Sequence, residues 1–430
     1  MFRPLPLAAA GIFVLSACGA TDEPAAAPPL DQPPTESTEA ATGTQTATDD
    51  EAPPPTDRGV PSDGKPFRLD AVEPSPTSVT ASGLEIHRNQ SNPDDLPDPL
   101  VDFGEVRSGG PPPDGIPPVD SPTFLRVGDV DFLADNEPVL ALEIDGDTRA
   151  YPVQIMTWHE IVNDTVGGVP VTVSYCPLCN SAVAFDRRLG DRVLDFGTSG
   201  LLYNSALVMY DRQTESLWSH FTGEAIIGEL TGEDLQLFPV STVSWATFRD
   251  ANPDGVVLSR DTGFDRNYGQ NPYPGYDNVD GVPFLFQGEV DGRYTALTRI
   301  VGIESGEAAV GIPLDDLRAA QVIEGEIDGR PLVALWAAGT SSALQNSTIS
   351  EGVDVGATGV FVPEANGEAL SFTATGEGTF TDDRTGSTWN ILGEAVDGEL
   401  AGEQLDPYVH VDTFWFAWST FRTDTEVLTG

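Results

Sequence analysis

The sequence predicts an α+β, β-rich protein built as two pseudo-symmetric lobes from an internal duplication, and three observations lead there. The 430 residues include 44 Gly and 36 Pro, a density of turn formers that favours short strands over long helices. Apolar runs such as Val169–Tyr175 and Ala206–Tyr210 are short, bounded by turn residues and rich in branched side chains, as strands require. A long stretch also recurs in order: Leu217-Trp218 through Leu235 is echoed from Thr388-Trp389 to Leu405, and Pro152–Pro170 aligns without gaps on Pro313–Pro331.

Near the start, Arg3 precedes an apolar run from Leu5 to Ala17, too short to span a bilayer and suited to an export signal over residues 1–18. Its end, Leu15-Ser16-Ala17-Cys18, resembles a bacterial lipobox, so Cys18 is the expected lipidation site. The expected location is extracytoplasmic, on a membrane held through lipid, at the periplasmic face or cell surface. Residues 19–66 are mainly Ala, Pro, Thr, Asp and Glu, with too little apolar surface to fold, and read as an acidic tether. Residues 67–109 form an irregular lead-in. The first lobe follows at 110–280 and the second at 281–430.

Within each lobe the same elements are expected. A short helix follows Pro152, placing Met156, His159 and Val162 on one face, and its counterpart carries Leu317, Ala320 and Ile323. Gly167-Gly168 and Asp328-Gly329 mark turns into the strands Val169–Tyr175 and Pro331–Trp336. Helical tails, Trp245-Ala-Thr-Phe-Arg249 and Trp418-Ser-Thr-Phe-Arg422, close the repeats. Trp218, Trp245, Trp389 and Trp418 are expected in the core.

Charge excludes one class of partner. With 21 Lys+Arg against 68 Asp+Glu the net charge is −47, so phosphate-rich nucleic acid is not expected to bind. The residues that carry chemistry are few. Cys176 and Cys179 end an apolar strand in Tyr175-Cys-Pro-Leu-Cys-Asn180, with a hairpin rather than a helix downstream, closer to a metal knuckle than to a thioredoxin-like site. In the ungapped register His159, Cys176 and Cys179 fall on Ala320, Ala337 and Thr340, so all three are missing together from the second lobe. The expectation is a soft metal site for Cu(I) or Zn²⁺ held by His159, Cys176 and Cys179, with His220, Glu160 or water in the fourth position and Glu160 and Tyr175 around the ligands. Two other readings stand beside it. The cysteines are a redox-active or structural disulfide, with His159 a core histidine bonded to a backbone carbonyl, or the lobes are a scaffold for surface binding. Which protein would partner it is not legible.

Several segments in order, Asp114-Gly-Ile-Pro117, Arg149-Ala-Tyr-Pro152, Trp158-His-Glu-Ile-Val-Asn-Asp164, Tyr175-Cys-Pro-Leu-Cys179, Met209-Tyr-Asp-Arg212 and Thr214-Glu-Ser-Leu-Trp218, resemble the exported bacterial and archaeal proteins grouped as domain of unknown function 3179. The resemblance implies no established activity. It favours the His-Glu, Cys-Pro-x-Cys and Tyr-Asp-Arg segments as the site, and it sets His220 apart, since members more often carry Gln there.

Overall fold

The computed structural model describes residues 63–77, 82–376 and 378–430. The signal segment with Cys18 and all but the last residues of the tether lie outside them. The fold is β-rich, and its α-helices among the described residues are short: α1 Gly83–Asn89, α2 Val153–His159, α3 Trp245–Ala251, α4 Leu314–Ala320 and α5 Trp415–Phe421. None is long and apolar enough to cross a membrane. The lead-in, read as irregular, carries α1 and the strand Val106–Ser108. Ser82 caps α1 by accepting from the Glu85 N–H at 3.2 Å, and Ile86 buries against Val106, Val208 and Leu217.

Hairpins with two-residue loops set the framework. The strands Pro138–Ile144 and Asp147–Pro152 pair antiparallel around Asp145-Gly146, whose φ values of 51° and 73° are those of a type I′ turn. Gly167-Gly168 joins Ile161–Val166 to Val169–Cys176 in the same way, at 57° and 79°. After α2, Glu160 takes a left-handed φ of 58° and its N–H donates to the Met156 carbonyl at 2.7 Å, which stops the helix. The expected helical face therefore ends early: Val162 lies in a strand, as does Ile323 in the second half.

The two halves repeat these elements at fixed spacings. Pro138–Ile144, Asp147–Pro152, α2, Ile161–Val166 and Val169–Cys176 have counterparts Arg299–Ser305, Ala308–Pro313, α4, Val322–Ile327 and Arg330–Ala337, each displaced by 161 positions, as 299 is from 138. Further along the displacement is 170: α3 begins at Trp245 and α5 at Trp415. The strands that follow pair in parallel with Asp147–Pro152 and Ala308–Pro313 in equivalent registers, Val256↔Arg149 and Val310↔Glu426. This corrects the alignment of the tails. Trp245 is equivalent to Trp415 and Phe248 to Trp418, so matching the two Trp-x-Thr-Phe-Arg strings slips the helices by three residues.

Apolar clusters draw on both halves. Trp415, Phe416 and Trp418 of α5 are buried with Phe185, Trp218 and Phe221, while Trp245 and Phe248 of α3 are buried with Phe380 and Trp389. Phe421 stacks on Phe221 with ring centroids 4.7 Å apart. Trp218 and Trp389 are fully buried, as expected, and each indole N–H is satisfied by a buried carboxylate, Asp211 at 2.9 Å and Asp382 at 3.0 Å. Between Leu258 and Arg299 the chain runs without helix or strand apart from one bridge, Gln270↔Thr348, and this segment forms one wall of the site.

Candidate dithiol site

Cys176 is the last residue of its strand and pairs in register with Ser181, the first of the next, so Pro177–Asn180 is the turn of a tight hairpin. Asn180 closes it at a φ of 51°. No helix follows Cys179, in line with the hairpin expected there. The second half holds the turn from outside: the Cys179 carbonyl accepts from the Phe414 N–H at 3.1 Å and from Thr413 Oγ1 at 2.7 Å. Both cysteines are free thiols, buried to 1% and 0% exposure.

From Cys179 a chain of hydrogen bonds runs inward. Cys179 Sγ lies 3.1 Å from Ser181 Oγ, which lies 2.8 Å from His220 Nε2. His220 Nδ1 lies 2.9 Å from Ser174 Oγ, and Ser174 donates to the Glu160 carbonyl at 3.0 Å. A carbonyl only accepts, and this fixes the direction of every other bond. Ser174 spends its proton on Glu160, so His220 Nδ1–H donates to Ser174 and the bare Nε2 accepts from Ser181. Ser181 has no proton left for Cys179, so its oxygen can only accept there and competes with Cys176 for the single Cys179 S–H. Burial drives the His220 pKa down to about 3, so the ring stays neutral and cannot take the thiol's proton.

The two thiols are therefore unequal. Burial alone would raise Cys176. Hydrogen bonds from the Cys179 side chain and from the backbone N–H groups of Leu207, Cys179 and Leu178 outweigh it, and Cys176 sits below the ordinary thiol value. Cys179, pushed up by burial and then by its bond to Cys176 and the charge there, keeps its proton. Glu160 stands beside Cys176. Its carboxyl is pushed well above the ordinary carboxylate value by burial and then by the Cys176 thiolate, which favours its protonated form. It is 6% exposed, and no protein partner bonds its carboxyl oxygens among the described residues.

Glu160 opens on a cavity of about 290 Å³ whose walls are chiefly Ile116, Leu178, Leu201, Leu207, Tyr273 and Tyr276. Leu178 and Leu207 are two of the residues whose N–H groups hold Cys176, so the thiol pair lies just behind this wall.

His159 does not join the thiols. Its Nδ1 lies 2.7 Å from the Pro117 carbonyl and must donate there, which leaves Nε2 to accept from the Tyr268 hydroxyl at 2.6 Å, itself 2.6 Å from Thr262 Oγ1. The ring, fully buried with its pKa lowered first by that burial, ties α2 to the segments around residues 117 and 268. Among the described residues no three His, Cys, Asp or Glu side chains gather as metal ligands. Of the expected ligands His159, Cys176 and Cys179, with His220, Glu160 or water fourth, the structure brings the two thiols together, reaches His220 through Ser181 and holds His159 on other partners. Ala320, the counterpart of His159 in the second half, is exposed. Tyr175, expected near the ligands, bonds Asn180 Oδ1 at 3.2 Å across the turn.

The Tyr-Asp-Arg segment is engaged in bonds within the protein. Tyr210 donates to Asp114 at 2.7 Å, Asp211 holds Trp218 and Thr214, and Arg212 pairs with Asp114, Asp120 and Asp195. Sequence reasoning missed Ser174 and Ser181. The period-2 rule could have found Ser174, since it faces the same side of its strand as Cys176.

A family model described as "Protein of unknown function (DUF3179)" matches residues 113–425. The chain belongs to this family. No curated protein and no solved structure is significantly similar to it.

Proposed function

We propose that Cys176 and Cys179 form a dithiol redox centre in a lipid-anchored, extracytoplasmic member of this family, which makes the protein a thiol oxidoreductase. The asymmetry of the pair carries the reading: one sulfur is turned toward thiolate by the polar hydrogens around it while its neighbour keeps a proton, as an attacking and a resolving thiol need. In the net step two S–H groups become one S–S bond, and two electrons and two protons pass to an oxidant reaching the pair from the adjoining cavity. The matched elements of the two halves support an internal duplication in which only the first copy carries the thiols; Ala337 and Thr340 stand in the second.

In the reduced full chain at pH 7, iodoacetamide is expected to alkylate Cys176 at least tenfold faster than Cys179. A mild thiol oxidant should form one reversible intramolecular disulfide, seen as a mass lower by two hydrogens and absent from Cys176→Ser. Equal alkylation rates together with no disulfide would sink the proposal. A second reading follows from two sulfurs side by side, which suit a soft two-coordinate ion such as Cu(I) better than Zn²⁺ with its four ligands. Stoichiometric copper in anaerobically purified chain, lost in Cys179→Ser, would favour it. The anchor has its own test: Cys18→Ser should shift the protein from the detergent phase to the aqueous phase, and unchanged partitioning would overturn lipidation.

A further inference from the structure

The cavity beside the thiols has the features of a binding site. Its volume, about 290 Å³, suits a ring-sized molecule, and its walls are carbon-rich except for the Thr198, Tyr273 and Tyr276 hydroxyls and one carboxyl. That carboxyl, Glu160, is more than nine-tenths buried, lines the cavity, and has no protein partner among the described residues. Its oxygens bond no protein group, so their hydrogen bond is open to whatever fills the cavity, water or a ligand atom. One wall residue, Phe284, is 47% exposed, so the apolar lining continues to the surface.

We infer that this cavity binds an uncharged, mainly apolar ring compound with a carbonyl oxygen aimed at Glu160, of the quinone class. Each part of the description has a source. The walls ask for an apolar body. A carboxyl that is protonated in its buried setting donates a hydrogen bond, so it asks for an acceptor. An anion is disfavoured, because nothing cationic lines the cavity and the chain carries a net charge of −47. The quinone class rests on the dithiol reading, for it would complete that step: as the Cys176–Cys179 S–S bond forms, the two carbonyl oxygens take up two electrons and two protons and become the hydroxyls of a hydroquinone.

Binding is separable from electron transfer. With Cys176→Ser/Cys179→Ser full chain, duroquinone is the probe, durene the ring without carbonyls, and 2,4,6-trimethylbenzoate the anion, all followed by ligand-observed NMR. Duroquinone should bind and the benzoate should not. Glu160→Leu should weaken duroquinone about tenfold, the worth of one hydrogen bond to a buried acid, and leave durene unchanged or tighter. Leu201→Trp and Ile116→Trp, two half-exposed wall positions, should each weaken both neutral probes at least tenfold with the far-UV spectrum retained. No duroquinone binding, or binding indifferent to all three substitutions, would overturn the inference. If the cysteine-free chain binds duroquinone but the reduced wild type is not oxidised by it, the quinone step and its dithiol reading fall while the carbonyl-binding cavity stands.

Discussion

Arg149→Met should destabilise the protein by about 3–5 kcal/mol at pH 7, the cost expected when one partner of a buried ion cluster is removed. Arg149 is 2% exposed. Its Nη1 donates to both Asp164 oxygens at 2.7 Å, its Nη2 to Asp147 at 2.8 Å, and its guanidinium lies 4.9 Å from the Phe124 ring centroid. Asp164 also accepts from the Tyr151 hydroxyl at 2.6 Å and the Thr165 N–H at 2.7 Å. Methionine replaces the stem but removes the guanidinium that the two carboxylates, 4% and 6% exposed, share. Urea unfolding measures the loss, and the double variant Arg149→Met/Asp164→Asn should regain part of it, because one of the stranded charges is gone. A loss under about 1 kcal/mol, or a double variant no better than the single, would show that the cluster is only weakly coupled to folding. The cluster matters to the site because Asp164 sits on the strand that follows directly from Glu160, so it anchors the backbone that presents the acid.

Much of the framework was legible because it rests on local rules. Asp-Gly and Gly-Gly pairs announce their turns through the left-handed conformations they tolerate, and the strand Val169–Cys176 reads from its branched residues alone. The helix tails were legible in type but not in register: a slip of three residues keeps nearly the same helical face, so the Trp-x-Thr-Phe-Arg strings looked equivalent when Trp245 and Trp415 are the structural pair. The end of α2 was hidden because Glu160, a good helix former, takes a left-handed cap.

At the site the cysteines stood out, since their type and spacing admit few uses. His159 misled. Its absence from the second half is as consistent with a histidine bonded to the Pro117 carbonyl and Tyr268 as with a ligand, and both partners lie far away in sequence. Ser181 passed unnoticed because a serine in a strand carries no signal until its neighbours across the sheet are known, and Ser174 was marked only by sharing a strand face with Cys176. The cavity was illegible for a related reason: its walls come from residues 109–116, 198–207 and 273–284, and only folding brings them around Glu160.

Glu160 also makes the largest pH effect expected of the site. An acid whose folded pKa lies above its ordinary value of about 4.3 keeps its proton in the folded state at pH values where the unfolded chain has lost it. The folded state then binds more protons, so stability falls as pH rises from that ordinary value to the folded one. Glutamine keeps the shape and cannot titrate, which removes this contribution. Cys176 acts in the opposite sense, because its lowered folded pKa makes stability rise with pH just below the ordinary thiol range. The comparison is therefore made in a Cys176→Ser background, where burial remains as the cause of the Glu160 shift. From pH 5 to 8, unfolding free energies from urea titrations should fall more steeply for Cys176→Ser than for Cys176→Ser/Glu160→Gln, by up to about 1.4 kcal/mol per pH unit, the slope of one proton released on unfolding. The glutamine chain should be the more stable of the two at the alkaline end and should lose that advantage toward pH 4. Parallel curves across the range would mean that Glu160 is ionised in the folded protein, and an ionised carboxylate would turn away the carbonyl acceptor inferred for the cavity.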